Sequence, residues 1–284
     1  MKYKLLSGLM ATATVLGVLC SANQASATTN GSDVSEQDYN QQYSNSGNDE
    51  PRLSYEQWQY FTDFVNGERL GINQGDLPQI NFDSLRWESG ANDLEIFFIN
   101  EGAGFRNQLF YSVDDGNSQE LVFDDVSSRL SILPEEDGPL ALGQGVNLGN
   151  FAGDTFIEFF ILSNGYNGGH NYFGSNREEI RNEFNLDGFN RDGFNHLLGY
   201  EVEFGGEKFV MLGFEDDWIS EQANKSGDQD FNDVVFVVKG LTHTPPGPPS
   251  NSVSTPEPGT LLGTLFAFGV MGLTSVQKRQ GKKS

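Results

Sequence analysis

The sequence predicts an all-β fold class: an antiparallel β-sandwich or jelly-roll-like domain, with one short N-terminal helix and a hydrophobic helix at the C-terminus. Short apolar runs separated by turn residues follow one another from residue 80 to residue 238. Helical periodicity is nearly absent there, and the chain contains 34 glycines, which suit frequent turns. Its 23 phenylalanines can fill a core. Together these features are typical of antiparallel sandwiches and jelly rolls.

The N-terminus has the three parts of an export signal. Lysines precede an apolar run over residues 9–19, and small residues follow at Ala25 and Ala27. This order predicts that residues 1–27 are a signal peptide cut after Ala27. The single cysteine, Cys20, would leave with the signal, so the exported chain would have no disulfide.

The next segment predicts a polar leader and then a helix. Residues 28–50 are rich in polar residues and glycine, which predicts a disordered leader. Residues 51–150 would hold the helix and the first strands. Ser54 and Gln57 have the spacing of a capping box, and Gly67 would end the helix. One face of this helix carries the large residues Trp58, Phe61 and Val65, and we expect it to pack against a sheet.

Eight strands are predicted from the apolar runs that follow. They cover residues 80–87, 94–99, 108–113, 119–126, 155–162, 196–204, 207–214 and 233–238. Two turn signals predict hairpins within this series. These are Asp114 to Asn117 and the pair Gly205 and Gly206.

An acidic loop between the last two predicted strands is the strongest functional signal. Residues 213–236 include Glu215, Asp216, Asp217, Glu221, Asp228, Asp230 and Asp233. Carboxylates held this close repel each other and raise one another's pKa unless a cation or protons neutralise them. Oxygen ligands in a flexible loop suit calcium. The loop is not an EF-hand, because Asp233 occupies the glycine position and Lys239 the final glutamate position.

These observations predict a calcium site in this loop. Its expected ligands are Glu215, Asp216, Asp228, Asp230, Asn232 and Asp233. The alternative is a solvated acidic surface loop. A second, weaker candidate contains Asp187, Asn190 and Asp192, which two turns also explain. His170 and His196 are too isolated for a transition-metal site, so we expect them to be turn or packing residues.

The same loop carries a family resemblance. GFEDDW at 213–218 and DQDFNDVVF at 228–236 resemble the family catalogued as domain of unknown function 4114, and the resemblance covers residues 151–240. By position, the family's acidic residues fall on Glu215, Asp216, Asp228, Asp230 and Asp233. The chain departs from the family at Trp218 and Ile219, where the loop is often glycine-rich. The resemblance implies no particular reaction.

The C-terminus resembles a sorting signal. Pro256, Glu257 and Pro258 precede an apolar run over residues 261–276 and then a basic end. This order resembles the PEP-CTERM signal, here residues 256–284. The resemblance implies an exosortase-type membrane protease as a transient partner. It also implies export to the cell surface or extracellular matrix of a Gram-negative or cyanobacterial cell. Residues 241–255 would form a proline-rich linker, and only the sorting helix would contact the membrane, before cleavage.

Charge excludes some partners and leaves two function classes. The net charge of −23 argues against nucleic acid and against anionic membrane surfaces. The expected function is an exported, non-catalytic surface or matrix module that binds calcium, with exopolysaccharide as a candidate partner. The alternative is a carbohydrate-active hydrolase using two of the same carboxylates. Separations of about 5.5 Å or 6.5–9.5 Å across a cleft would indicate the hydrolase. Convergence on one point would indicate the ion.

Overall fold

The computed structural model describes residues 34–43, 50–65, 77–88, 90, 92–113, 119–152, 154–175, 189–219 and 227–243. Two α-helices lie in these ranges, α1 (Glu36–Gln42) and α2 (Tyr55–Thr62). The strands in the same ranges are β1 (Arg86–Trp87), β2 (Leu94–Asn100), β3 (Asn107–Val113), β4 (Glu120–Val126), β5 (Gly145–Gly149), β6 (Thr155–Ser163), β7 (Asn171–Gly174), β8 (Leu197–Phe204), β9 (Glu207–Phe214), β10 (Val234–Lys239) and β11 (Leu241–Thr242).

The strands form two antiparallel sheets that share one core. The six-stranded sheet has the order β11-β1-β6-β3-β4, with β7 also paired to β6. The five-stranded sheet has the order β5-β2-β10-β9-β8. Phe123 of β4 stacks on Phe236 of β10, with ring centroids 5.6 Å apart, so the sheets pack face to face. The predicted mainly β, sandwich-like fold is confirmed.

Helix α2 covers the outer face of the five-stranded sheet. The Trp58 indole N–H donates to the Ile99 carbonyl over 2.9 Å. The Phe61 ring lies 4.9 Å from that of Phe209 in β9. Because β10 is covered on both faces, its residues from Val234 to Val238 are all buried. This explains why its sequence is continuously apolar instead of alternating.

Helix α2 begins as predicted. The Ser54 hydroxyl accepts a hydrogen bond from the Gln57 N–H over 3.2 Å, and the Gln57 side chain accepts one from the Ser54 N–H over 3.0 Å. This reciprocal pair is the capping box that the spacing indicates. The helix ends at Thr62, whereas the expected terminator Gly67 lies outside the described residues.

The leader differs from the prediction, because α1 lies within residues 28–50. The Tyr39 side chain is 1% exposed, its ring lies 5.2 Å from that of Trp58, and its hydroxyl donates to the Leu53 carbonyl over 2.8 Å. The polar, glycine-rich composition of this segment predicts disorder, because such a segment buries little apolar surface. Tyrosines supply the apolar surface instead, and their hydroxyls find buried acceptors.

The predicted strand over residues 80–87 is mostly wrong. Phe82–Ser84 forms a 3-10 helix, and only Arg86–Trp87 is a strand. The Asn81 side chain accepts a hydrogen bond from the Asp83 N–H over 3.1 Å, which starts this turn. Strands β5, β7 and β11 were not predicted. The hairpin at Gly205 and Gly206 is confirmed, with φ of 62° and 86°, as a two-residue hairpin turn requires.

Several predictions fall outside the described residues. They include the signal peptide with Ala25 and Ala27, the turn at 114–117, most of the linker and the sorting signal with Pro256, Glu257 and Pro258. Among the helices that the structure describes, none is long and apolar enough to cross a membrane.

Candidate metal centre

The acidic loop lies where three neighbouring strand ends meet. Strand β9 ends and β10 begins side by side, with Phe214 opposite Val234. Strand β2 lies on the other side of β10, with Asn100 opposite Val235. The residues that follow β2 and β9 are therefore brought beside the residues that precede β10.

Three of the predicted ligands converge. Glu215, Asp228 and Asp230 each supply one carboxylate oxygen, and these oxygens all lie within 4.8 Å of one another. Glu215 and Asp230 are only 1% and 2% exposed, whereas Asp228 is exposed. The cluster is therefore held inside the fold but reaches solvent through Asp228.

The loop backbone is tightly wound between these acids. Gln229 and Phe231 have φ of 66° and 57°, which non-glycine residues adopt rarely. The Gln229 N–H donates to Glu215 Oε2 over 2.8 Å, and the Asn232 N–H donates to Asp230 Oδ1 over 3.2 Å. Residues in this region cost on the order of 1–3 kcal/mol each and persist only where surrounding contacts hold them. Here the carboxylates provide those contacts.

The other three predicted ligands line the adjoining wall. Asp233 Oδ2 accepts the Asp216 N–H over 2.7 Å, and Asp216 Oδ2 accepts the Asn107 side-chain amide over 2.7 Å. Asn232 is fully buried, and its backbone carbonyl accepts the Gly102 N–H over 3.1 Å. A Cβ on Gly102 would lie 2.6 Å from Asn232 Oδ1, so only glycine permits this close approach.

Glu101 belongs to the same acidic cluster and was not predicted. It is 1% exposed, and its Oε2 accepts the Ser131 hydroxyl over 2.8 Å. Among the described residues, its buried Oε1 has no hydrogen-bond partner of good geometry. The nearby Ala103 N–H nevertheless lowers the pKa of this carboxyl. Burial raises the pKa of Glu101 well above its usual range, and the charges of Glu135 and Asp233 add to this.

Burial and mutual repulsion hold protons on this cluster. Burial raises the pKa of Glu215 to about 9, with further contributions from Asp233, Asp228 and Asp230. Burial likewise raises the pKa of Asp216 and of Asp233, which also repel each other, while the Asn107 hydrogen bond opposes the shift at Asp216. At neutral pH the cluster therefore requires protons or a cation to balance its charge.

The second candidate cluster stabilises the fold: its two described residues, Asn190 and Asp192, hydrogen-bond to neighbouring segments. The Asn190 side chain bonds to both the N–H and the carbonyl of Gly174, over 3.1 and 3.0 Å. Asp192 contacts His196 Nε2 over 3.1 Å and accepts the Ile219 N–H over 3.0 Å. Asp187 lies outside the described residues.

His196 is a packing residue, as predicted. Its ring is fully buried and stacks on that of Phe173, with the ring centroids 4.3 Å apart. Burial lowers the pKa of His196, although the contact with Asp192 raises it in part. Its carbonyl accepts the Glu215 N–H over 3.0 Å. His196 therefore anchors the strand end that carries Glu215.

Comparison with known families agrees with the sequence resemblance. Residues 151–241 match the family described as Domain of unknown function (DUF4114). The match contains Glu215, Asp228 and Asp230, whereas Glu101 and Asn107 precede it. No curated protein and no solved structure matches the chain. Residues 151–241 are thus similar to this family and belong to a two-sheet, sandwich-like fold.

Proposed function

We propose that the protein is an exported, non-catalytic module of the cell surface or extracellular matrix whose acidic cluster binds calcium. The convergence of oxygens from Glu215, Asp228 and Asp230 within 4.8 Å is the observation that carries this proposal. Calcium takes six to eight oxygen ligands, including carboxylates, carbonyls and water, in flexible geometry. Asp216, Asn232 and Asp233 line the adjoining wall, and Glu101 adds a further buried carboxyl.

The arrangement favours an ion over glycoside hydrolysis. A glycosidase places two carboxyl groups on opposite sides of a sugar bond, about 5–5.5 Å or 6.5–9.5 Å apart. Here three carboxylates from neighbouring loop ends point to one place, and two of them are almost fully buried. A sugar ring has no room between them, whereas a cation would relieve their repulsion.

The exported location is supported by the two ends of the sequence. Residues 1–27 resemble a signal peptide. The motif Pro256 to Pro258, followed by an apolar run and a basic end, resembles a sorting signal of exported proteins. An exosortase-type protease would be the transient partner that removes the tail, in a Gram-negative or cyanobacterial cell. Exopolysaccharide is the proposed lasting partner at this location.

Calcium is expected to stabilise the purified exported protein. At a hundred times its Kd, an ion that binds only the folded state adds about 2.7 kcal/mol to the free energy of unfolding. For a domain of this size, that corresponds to a rise of roughly 5–10 °C in Tm. Differential scanning calorimetry with calcium, magnesium and sodium chloride at equal ionic strength measures it. Equal shifts with all three salts would indicate general screening and contradict the site.

Asp230→Asn is expected to weaken calcium binding on the order of tenfold or more, because it removes one ligand charge at nearly constant shape. The asparagine oxygen can still accept the Asn232 N–H. The ion-free variant should be as stable as the parent or slightly more stable, because repulsion is relieved. Asp63→Asn makes the same chemical change at an exposed position. In a calorimetric titration, equal calcium affinity of both variants and the parent would exclude Asp230 as a ligand.

A further inference from the structure

A groove separate from the acidic cluster lies beside strand β4. Its volume is about 390 Å³. It is lined by Arg106, Val122, Phe123, Asp124, Asp125, Asp137, Pro139, Leu140 and Tyr166. A second cavity of about 490 Å³ shares Asp137, Pro139 and Leu140 with it and extends toward α1. Both cavities have polar and apolar lining residues.

Tyr166 presents an exposed aromatic ring in this groove and is held in place. The ring is 47% exposed, although the guanidinium carbon of Arg106 lies 4.2 Å from its centroid. The Tyr166 N–H also donates to the Arg106 carbonyl over 3.2 Å. A cation–π contact of this kind fixes one face of the ring and leaves the other available.

Arg106 is itself fixed by two carboxylates. Its Nε donates to Asp125 Oδ1 over 3.1 Å, and its Nη2 bonds the other oxygen of Asp125. Its Nη1 donates to both oxygens of Asp137, over 3.1 and 3.0 Å. The Arg106 side chain is only 16% exposed. Bidentate pairs of this type set the orientation of the guanidinium, so the ring above it is pre-organised before any ligand arrives.

The chemistry of the groove selects a particular class of ligand. Its charged lining residues are three aspartates and one arginine, which disfavours anionic ligands such as phosphates or uronates. A flat aromatic face beside carboxylate acceptors suits a sugar, whose ring has an apolar C–H face and hydroxyl groups at its edge.

We propose that this groove is a binding site for neutral polysaccharide chains, with Tyr166 as the stacking platform. The inference takes the extracellular location from the proposed function, but it does not require the calcium ion. Failure of glycan binding with an intact calcium response would therefore reject the groove as a glycan site and leave the calcium site standing. The reverse result would reject the calcium site alone.

Titration of the exported protein with cellohexaose, maltohexaose and mannohexaose, followed by saturation-transfer NMR and calorimetry, tests the proposal. We expect at least one of these neutral hexasaccharides to bind. Tyr166→Ala should weaken that binding by about tenfold, because the loss of one stacking contact corresponds to roughly 1.4 kcal/mol. Tyr166→Phe retains the ring and should retain binding. Polygalacturonate should not bind, because its carboxylates meet the acidic rim.

Phe194→Ala is the matched control, because Phe194 is an aromatic residue with nearly the same exposure, 48%. It should leave binding unchanged. Binding of none of the three hexasaccharides would overturn the proposal. Equal losses from Tyr166→Ala and Phe194→Ala, or binding of polygalacturonate as tight as that of the neutral chains, would do the same.

Discussion

Without calcium, the free energy of unfolding is expected to fall by several kcal/mol as the pH rises from about 4.5 to 9. The pKa of Glu215 rises from an ordinary value of 4.5 to about 9 in the folded protein, and those of Asp216 and Asp233 are raised as well. A group with a raised folded pKa binds its proton more tightly in the folded state. The stabilisation that such a group contributes is complete below its unfolded pKa and is lost as the pH rises through its folded pKa. Each unit of pKa shift corresponds to about 1.4 kcal/mol.

Urea unfolding of metal-free protein at several pH values measures this dependence. Saturating calcium should oppose the loss, because the ion replaces the protons on the carboxylates and binds more tightly as the pH rises. Glu215→Gln should make the pH dependence of the metal-free protein shallower. Glu203→Gln, at an exposed position of β8, should leave it unchanged. A metal-free stability that stays constant or increases over this range would show that the buried carboxyls do not hold protons.

Phe236→Ala is expected to lower the free energy of unfolding by about 3–5 kcal/mol, the usual cost of removing a buried phenylalanine. Phe236, in the middle strand of the five-stranded sheet, is fully buried between the two sheets. Its ring stacks on Phe123 of the opposite sheet and lies 5.8 Å from that of Phe98 in its own sheet. Its removal therefore leaves a cavity between the two sheets that neighbouring side chains cannot fill.

Chemical denaturation of the parent and the variant at one pH gives this difference directly. Phe236→Leu keeps most of the apolar volume and should cost clearly less than alanine. Leu121→Ala, at a side chain of β4 that is 48% exposed, should change stability by less than about 0.5 kcal/mol. Equal effects of Phe236→Ala and Leu121→Ala would contradict the face-to-face packing of the sheets.

Local signals account for the parts of the fold that the sequence predicts. The capping box at Ser54, the glycine pair at Gly205 and the apolar run of β10 each act within a few residues, and each is confirmed. Strands β7 and β11 have four and two residues, too few for an apolar pattern, and exist because they pair with β6 and β1. Such pairing depends on tertiary contacts and is not visible in the local sequence.

The candidate site likewise combines residues that local sequence predicts with residues that only tertiary contacts bring together. Glu215, Asp228 and Asp230 lie close in sequence and could be predicted as one cluster. Glu101 could not, because it reaches the cluster only through the register that places Asn100 of β2 opposite Val235 of β10. Among the six predicted ligands, local spacing also could not separate the convergent acids from Asp216, whose carboxylate instead contacts Asn107.

The bond between Asn107 and Asp216 spans 109 positions of the chain, and this bears on when the ion would bind during folding. A newly synthesised chain carries the convergent acids within one short segment, but it acquires the wall behind them only after distant strands have paired. Closing such long loops is slow. The proposed calcium site would therefore mature late, and the ion would stabilise the completed domain without assisting its early folding steps.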